Sequence, residues 1–158
     1  LFAGASIHAA KEAKKRGIPV VVDAGTLREG MPELAGLSDY CITSRTFARQ
    51  FSESDDPDDA VRKLSELGPR LVGVTLGHEG YRAIFDGKIV RKPAYPVDAI
   101  DTTGCGDVFH AGFIYGLLRK WDYEKCLDFA AWAAAMVSMK MGGRTGIPSL
   151  TAMRERGF

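Results

Sequence analysis

A glycine-rich turn followed by a long apolar segment constrains this chain more than any other feature. Residues 101–112 read Asp-Thr-Thr-Gly-Cys-Gly-Asp-Val-Phe-His-Ala-Gly, and the apolar run continues to residue 118. A run that is apolar on every side predicts an interior helix. Gly104 and Gly106 leave the backbone open to a ligand, because glycine has no Cβ and tolerates positive φ. Since the first amide groups of the helix point at the same place, the pattern predicts an anion site.

An acid stands at the mouth of this predicted site. Asp107 follows the second glycine directly. Aspartate is a favoured helix N-cap, which is one interpretation. The other is a general base that takes a proton from a substrate held beside the anion. The neighbouring Asp101 and Thr103, and a second glycine corner at Gly142 and Gly143, favour the functional interpretation.

The stretch resembles the C-terminal signature of the ribokinase-like (PfkB) carbohydrate kinase family, which reads roughly Asp-Thr-x-Gly-Ala-Gly-Asp-x-Phe. Cys105 stands where the family usually has alanine, and the resemblance extends through the whole chain. It implies ATP-dependent phosphorylation of a sugar hydroxyl, with an anion hole for the transferred phosphoryl group at Gly104, Cys105 and Gly106. It implies that Asp107 is the base, and that Mg²⁺ is held mainly through water.

The resemblance also implies contacts with the nucleotide and with a monovalent cation. Four residues match family positions on the nucleotide side: Thr75, Gly77, Gly80 and Gly142. Asp101 and Thr103 are expected to line a K⁺ site behind the anion hole, where the cation would stabilise it.

One segment departs from the family pattern. Many members carry Asn-x-x-Glu where this chain has Ser44 and Phe47, and the family's pair helps to organise the metal and its waters. The departure puts a direct metal role of this segment in doubt. Asp23 and Arg28, after the first predicted strand, resemble ligand-side residues, and a loop salt bridge is the alternative.

The order of predicted elements indicates an α/β fold with a mostly parallel sheet. The resemblance narrows this to a ribokinase-like three-layer sandwich with helices on both faces of the sheet. The chain has 158 residues and begins at Leu1, and residues 1–4 look like the tail of a strand. Residues 1–158 are therefore expected to form the C-terminal, nucleotide-binding part of such a domain. Without the N-terminal substrate and lid part, this portion is expected to be inactive by itself.

Local signals place several elements. Ser6 is predicted to cap a helix over residues 6–16. Residues 18–22 predict a strand buried on both faces, and residues 124–141 predict a second interior helix. The dipeptide Asp86-Gly87 predicts a hairpin between residues 81–85 and 88–92.

Five acids cluster shortly before the middle of the chain: Glu53, Asp55, Asp56, Asp58 and Asp59. They are predicted to form a solvated loop rather than a metal site. Asp56 is predicted to cap the next helix, with Pro57 as its first residue.

Charge and cysteine content exclude several classes of protein. The net charge is +1, so bulk electrostatics favour neither nucleic acid nor an anionic membrane as partner. The longest apolar stretch is too short to span a bilayer. The three cysteines have no metal-type spacing, which favours a reduced, cytoplasmic setting. The expected partner is a small-molecule sugar, and a homodimer is left open.

Three other functions are consistent with parts of the pattern. A nucleoside kinase of the same fold would share every motif quoted above. A noncatalytic nucleotide-binding or dimerisation module would have no use for an acid at Asp107. A dinucleotide-binding protein would place its glycine motif in a first βα turn, whereas here the motif lies late in the chain.

Overall fold

The computed structural model describes residues 3–158. The chain divides into two compact units, one up to Lys92 and one over Pro93–Phe158. The first unit contains, in chain order, α1 (Ala3–Lys15), β1 (Val21–Ala24), α2 (Met31–Leu37), β2 (Tyr40–Ser44), α3 (Arg45–Ser52), α4 (Pro57–Ser65), β3 (Leu71–Thr75), a 3₁₀ turn (Gly77–Glu79), β4 (Tyr81–Phe85) and β5 (Lys88–Lys92). The second contains α5 (Cys105–Leu118), α6 (Tyr123–Ser138) and α7 (Leu150–Arg156).

The first unit is built on a five-stranded sheet of order β1-β2-β3-β4-β5. Strands β1, β2 and β3 pair in parallel, whereas β4 pairs antiparallel with β3 and with β5. Four of the five strands therefore run in one direction, which confirms the predicted mostly parallel sheet. The predicted hairpin is also confirmed, because Asp86 and Gly87 have φ of 49° and 71°, as a type I′ turn requires.

Each unit has its own apolar core. In the first unit the buried core residues come from both the sheet and the helices: Val22, Ala24, Ala35, Cys41, Phe47, Ala48, Ala60, Val61, Leu64, Val72, Val74 and Leu76. In the second unit the buried core residues come from the three helices: Val108, Phe129, Trp132, Ala133, Val137 and Met153. Within residues 3–158, no helix is both long enough and apolar enough to span a membrane.

The first strand begins three residues later than predicted. Ile18 is 54% exposed, so the predicted burial of residues 18–22 on both faces is wrong. Val20 is instead held by Asp39, whose Oδ2 accepts the Val20 amide at 2.9 Å and whose own amide donates to the Val20 carbonyl at 2.9 Å. Ladder pairing starts only at Val21, opposite Tyr40.

The first helix starts earlier than predicted. Ala3 and Gly4 are already helical, so Ser6 is not its N-cap, and the prediction of a strand tail is wrong for these two residues. Leu1 and Phe2, the other half of that predicted tail, lie outside the described residues. Alanine is the best helix former, so Ala3 and Ala5 favour extension of the helix past the expected cap, whereas Gly4 opposes it. Gly17 follows its last turn with φ of 67°, a left-handed conformation that glycine tolerates.

Helices α5 and α6 pack closely through two glycines. A Cβ on Gly112 would lie 3.0 Å from Cα of Ala130, and a Cβ on Gly116 would lie 2.7 Å from Sγ of Cys126. The backbone of α5 therefore approaches α6 directly at these two positions.

Two predictions for these helices need correction. Helix α5 is not buried on every side, because Ile114 and Leu118 are 39% and 78% exposed. An apolar sequence indicates that burial is favourable, but the described residues leave this side uncovered. Helix α6 ends at Ser138, before the predicted residue 141, and glycine-rich backbone follows.

The acidic segment is partly buried, contrary to prediction. Asp56 caps α4 by accepting the Asp58 amide at 2.9 Å, as expected. The side chain of Asp58, however, is only 9% exposed, and it pairs with Arg91 and, at 3.5 Å, with Arg82. These two arginines are direct cross-strand partners on β4 and β5. Like charges directly opposite each other on a sheet repel. The Asp58 carboxylate offsets the repulsion between the two arginines, and its ion pairs with them join the hairpin to α4.

Replacing Asp58 by asparagine should therefore destabilise the protein. Removing one partner of a buried ion pair costs about 3–5 kcal/mol, but Arg91 is half exposed, so we expect roughly 2 kcal/mol here. Urea unfolding should show the loss. Asp55→Asn is the matched control, since that carboxylate forms an exposed pair with Arg49, and such pairs contribute at most about 1 kcal/mol. Equal losses in the two variants would contradict the structural role of Asp58.

Candidate active site

The glycine-rich turn packs directly against the loop that follows α6. Gly104 is the N-cap of α5, with φ of 75°, a left-handed conformation that favours glycine. A Cβ at Gly104 would lie 2.9 Å from both Cα and the carbonyl oxygen of Gly143. A Cβ at Gly143 would in turn lie 3.2 Å from the carbonyl oxygen of Thr103. A side chain at Gly104 would therefore collide with the facing backbone, and a side chain at Gly143 would be in tight contact with it.

Asp101 ties the same two segments together through hydrogen bonds. Its Oδ1 accepts the Thr103 amide at 2.9 Å, and its Oδ2 accepts the Gly142 amide at 2.8 Å. Its own backbone amide and that of Ile100 donate to the carbonyl oxygen of Ser138, at 3.1 and 2.7 Å. The structure thus brings together four of the predicted site residues: Asp101, Thr103, Gly104 and Gly142.

These hydrogen bonds make the turn sensitive to acid. The Gly142 amide, followed by Thr103, holds the pKa of Asp101 below its ordinary value of 3.8. A carboxyl group whose pKa is lower in the folded state stabilises the fold above its unfolded pKa. That contribution disappears as the pH falls through the folded pKa.

We therefore expect the Thr103 and Gly142 amide resonances to move together when the chain is titrated with acid below about pH 3.9. The physical reason is that protonation of Asp101 removes the charge from the oxygens that accept both amides. Two-dimensional NMR would follow the shifts, and in Asp101→Asn they should no longer titrate. A Gly142 amide that titrates equally in the variant would contradict the assignment.

The first turn of α5 presents backbone donors at its open end. The Cys105 amide donates to the Thr102 carbonyl at 3.2 Å, and the Val108 amide makes the first helical bond, to Gly104, at 2.9 Å. Between them, the amides of Gly106 and Asp107 have no backbone acceptor within residues 3–158. The Cys105 amide, one of the donors expected from the sequence, is therefore already engaged. The Asp107 amide is an open donor that the motif did not indicate.

Asp107 is the third residue of α5, and its side chain is exposed. The interpretation of Asp107 as the N-cap is wrong, because Gly104 occupies that position and no side chain caps it. A carboxylate in the first turn still interacts favourably with the helix dipole. Among residues 3–158, no hydrogen bond or ion pair engages this carboxylate. It can therefore accept a proton from a ligand at the helix terminus.

Cys105 faces away from the open end of the turn. Its Sγ lies 3.5 Å from the carbonyl oxygen of Ala134 in α6. Burial, and secondarily the charge of Asp101, raise the pKa of the Cys105 thiol. The thiol is therefore neutral at pH 7 and adds no charge to the site.

The remaining predicted nucleotide-side residues belong to the first unit. Thr75 ends β3, and its hydroxyl donates to the Thr43 carbonyl at 3.2 Å. Gly77 and Gly80 have φ of 62° and 93°, and they flank a tight loop in which the Leu76 amide donates to the Gly80 carbonyl at 2.8 Å. The loop follows the carboxyl end of a parallel strand, where α/β sheets commonly bind ligands.

An ion pair that the sequence did not suggest braces this loop. Arg45, the first residue of α3, pairs with Glu79 at 2.6 Å and donates to the Leu76 carbonyl at 3.5 Å. The hydrogen bond from Arg45 lowers the pKa of Glu79. The signal available in the sequence was only one charged residue at a helix start and another in a turn, which does not specify a partner.

The residues that replace the family's Asn-x-x-Glu have structural contacts. The Ser44 hydroxyl donates to the Gly25 carbonyl at 2.5 Å and accepts the Phe47 amide at 3.1 Å, so it caps α3. The Phe47 side chain is fully buried in the core. Asp23 is exposed in β1 and Arg28 is exposed in the following loop, and their ligand-side role stays a prediction. Residues 3–158 contain no group of three or more His, Cys, Asp or Glu side chains placed to hold a metal ion.

Comparisons with known proteins agree over nearly the whole chain. The sequence profile of the pfkB family carbohydrate kinases matches residues 4–150. A ribokinase of Haemophilus influenzae is 33% identical over 146 residues, covering 89% of this chain and 48% of that protein. A nucleoside kinase of Methanothermobacter thermautotrophicus is 36% identical over 88 residues, covering 56% of this chain and 28% of that protein.

The fold comparison points the same way. The structure of Arabidopsis thaliana ribokinase complexed with ribose and ATP has a TM-score of 0.83 and 28% identity, and the match covers 97% of this chain and 52% of that chain. The chain thus spans about half the length of these two ribokinases. The fold is ribokinase-like, and the chain belongs to the pfkB family of carbohydrate kinases.

Proposed function

We propose that this chain forms the nucleotide-binding part of an ATP-dependent kinase that phosphorylates a hydroxyl group of a sugar. The observation that carries the proposal is the backbone contact of Gly104 with Gly143, which leaves the Gly106 and Asp107 amides open beside an unpaired carboxylate. The relatives named ribokinase support a sugar as the acceptor.

The residues of the turn fit the charge and size of a phosphate. A Cβ placed on Gly106 would meet nothing within 4 Å, so the space beside its amide is open. Helix N-termini favour anions because their free amides and the helix dipole point at the same place. When ATP is bound, it supplies the phosphoryl group to be transferred. The amides of Gly104, Gly106 and Asp107 would stabilise negative charge there, with Cys105 holding the turn through its bond to Thr102.

Asp107 is proposed as the general base. Its carboxylate is exposed at the same helix terminus as the open amides, and it would take the proton from the acceptor hydroxyl. In a loose phosphoryl-transfer transition state the proton leaves late, so the base need not be strongly basic. The purely structural alternative, an acid that only complements the helix dipole, predicts no effect on turnover.

Metal ions would be held with few protein ligands. Mg²⁺, when bound with ATP, would neutralise phosphate charge, and it commonly keeps several waters. Asp101 and Thr103 are proposed to line a monovalent-cation site. Because both Asp101 oxygens already accept an amide, this carboxylate is held rigidly for such a role. Thr75, Gly77, Gly80 and Gly142 are proposed as nucleotide contacts.

A second candidate is a nucleoside kinase of the same fold. The similarity to a nucleoside kinase, 36% identical over 88 residues, favours keeping it. Residues that contact the acceptor would decide between a sugar and a nucleoside, and the motifs shared by both classes do not. A noncatalytic nucleotide-binding or dimerisation fragment is the remaining alternative, and the unpaired Asp107 argues against it.

Two measurements test the proposal. Calorimetric titration of the chain with ATP, with and without Mg²⁺ and K⁺, should show binding that both cations strengthen. In the longest natural protein that contains this chain, ADP release should depend on an added sugar. Dependence on nucleosides instead would favour the second candidate, and the absence of ATP binding under all conditions would contradict both.

A further inference from the structure

The imidazole of His110 is hydrogen bonded to the turn itself. Its Nδ1 lies 2.8 Å from the carbonyl oxygen of Gly106, one helical turn earlier in α5. A carbonyl oxygen can only accept a hydrogen bond, so Nδ1 must carry the proton. Whenever the ring is neutral, this contact selects the tautomer that carries its proton on Nδ1 and none on Nε2.

The peptide that His110 holds is the one that bears the Asp107 amide. The Gly106 carbonyl and the Asp107 N–H lie in one rigid plane and point in opposite directions. Anchoring the carbonyl therefore sets the direction of the amide. That amide is one of the two open donors in the first turn of α5.

This peptide belongs to the first turn of α5, and outside the helical backbone bonding it has little other restraint. Gly106 has no side chain, and nothing lies within 4 Å of where its Cβ would be. Glycine is the residue with the most conformational freedom to lose. A ring bonded to its carbonyl restricts that freedom, and a hydrogen bond to the carbonyl also polarises the N–H of the same peptide.

We propose that His110 is a positioning residue that aims the Asp107 amide at the phosphoryl group, and this rests on the proposed function. His110 does not itself touch the reacting atoms in this proposal. It acts through the Gly106–Asp107 peptide, so its loss should weaken stabilisation of the transferred group more than it weakens binding of ATP.

NMR of the full chain tests the hydrogen bond directly. At pH 8.5, nitrogen-15 spectra of the imidazole should show His110 protonated at Nδ1 and unprotonated at Nε2. Titration with a nonhydrolysable ATP analogue should shift the Asp107 amide resonance in the wild type. In His110→Leu that shift should be reduced, whereas His110→Asn, which can still donate to the same carbonyl, should restore it. An imidazole protonated at Nε2 would overturn the proposal.

Turnover in the longest natural protein that contains this chain gives the second readout. We expect His110→Leu to lower kcat about tenfold and to leave KM for ATP little changed. The expected loss is smaller than the roughly 10²–10³-fold reduction in kcat that follows the loss of a whole anion-hole donor. His110→Asn should recover most of the rate. His8→Leu is the matched control, because His8 is exposed in α1.

The outcomes separate the two proposals. Wild-type rates in His110→Leu, with an unchanged response of the Asp107 amide, would overturn the role of His110 and leave the kinase proposal intact. If the Gly106 and Asp107 amide resonances of the wild type do not shift when the ATP analogue is added, the kinase proposal is contradicted. In that case the imidazole tautomer still decides whether His110 holds the turn.

Discussion

Replacing Asp107 by asparagine should lower turnover by about 10²–10⁴-fold, the usual contribution of a general base. Asparagine keeps the size of the side chain but cannot accept the hydroxyl proton at neutral pH. ATP binding should stay nearly intact, because the proposed contacts to phosphate come from backbone amides that the substitution does not alter. Turnover would be measured in the longest natural protein that contains this chain, and ATP affinity by calorimetry.

Asp98→Asn provides the matched control for this experiment. Asp98 is an exposed aspartate of the same unit, and it lies outside the glycine-rich turn. The control should phosphorylate at the wild-type rate. A normal rate in Asp107→Asn would show that Asp107 is not the base and would leave it as a residue that complements the helix dipole.

Replacing Gly104 by alanine should both destabilise the second unit and weaken ATP binding. A non-glycine residue at φ of 75° costs roughly 1–2 kcal/mol. The added Cβ would also lie 2.9 Å from two backbone atoms of Gly143, and forcing an atom into packed surroundings costs about 1–3 kcal/mol more. Because relief requires the two segments to separate, the open amides should lose their arrangement, and calorimetry should show weaker binding.

Gly17→Ala separates the two causes. Gly17 has φ of 67° at the end of α1, and nothing lies within 4 Å of where its Cβ would be. That variant should therefore lose only the conformational part of the stability, as measured by urea unfolding. If the two variants lose the same free energy of unfolding, the contact between Gly104 and Gly143 does not constrain the turn.

Local signals in the sequence predicted several features that short-range hydrogen bonds decide, although the cap predicted at Ser6 was wrong. Asp56 caps α4 by accepting a nearby backbone amide, as its place before Pro57 predicted. Asp86-Gly87 forms its hairpin because few other residue pairs accept positive φ at both positions. Each of these features depends on residues only a few positions apart, so a sequence pattern contains the information.

Features set by distant residues were missed or misplaced. Asp58 looks like one of several solvated acids until β4 and β5 bring Arg82 and Arg91 to it. The start of β1 depends on Asp39, nineteen residues beyond Val20. In both cases the deciding contact is long-range, and neither charge nor apolar periodicity specifies its partner.

The candidate site also combines features that the sequence predicted with features that only the structure shows. The motif predicted the glycine turn, and the structure places Asp101 and Gly142 in contact across a separation of 41 residues. The motif could not show that the Cys105 amide is engaged with Thr102. Nor did it single out His110, because a histidine one turn after a glycine has no distinctive spacing until the ring orientation is known.

The close approach of α5 to α6 at Gly112 and Gly116 has a mechanical consequence for engineering. Gly116 lies twelve residues after Gly104, which is about 18 Å along a helix. A single methyl group at Gly116 would contact Cys126 and push α5 away from α6 at this point. Because a helix is rigid, the resulting tilt of α5 would also move its N-terminal end. Mutational libraries that aim to tune phosphate affinity should therefore sample this remote crossing as well as the turn.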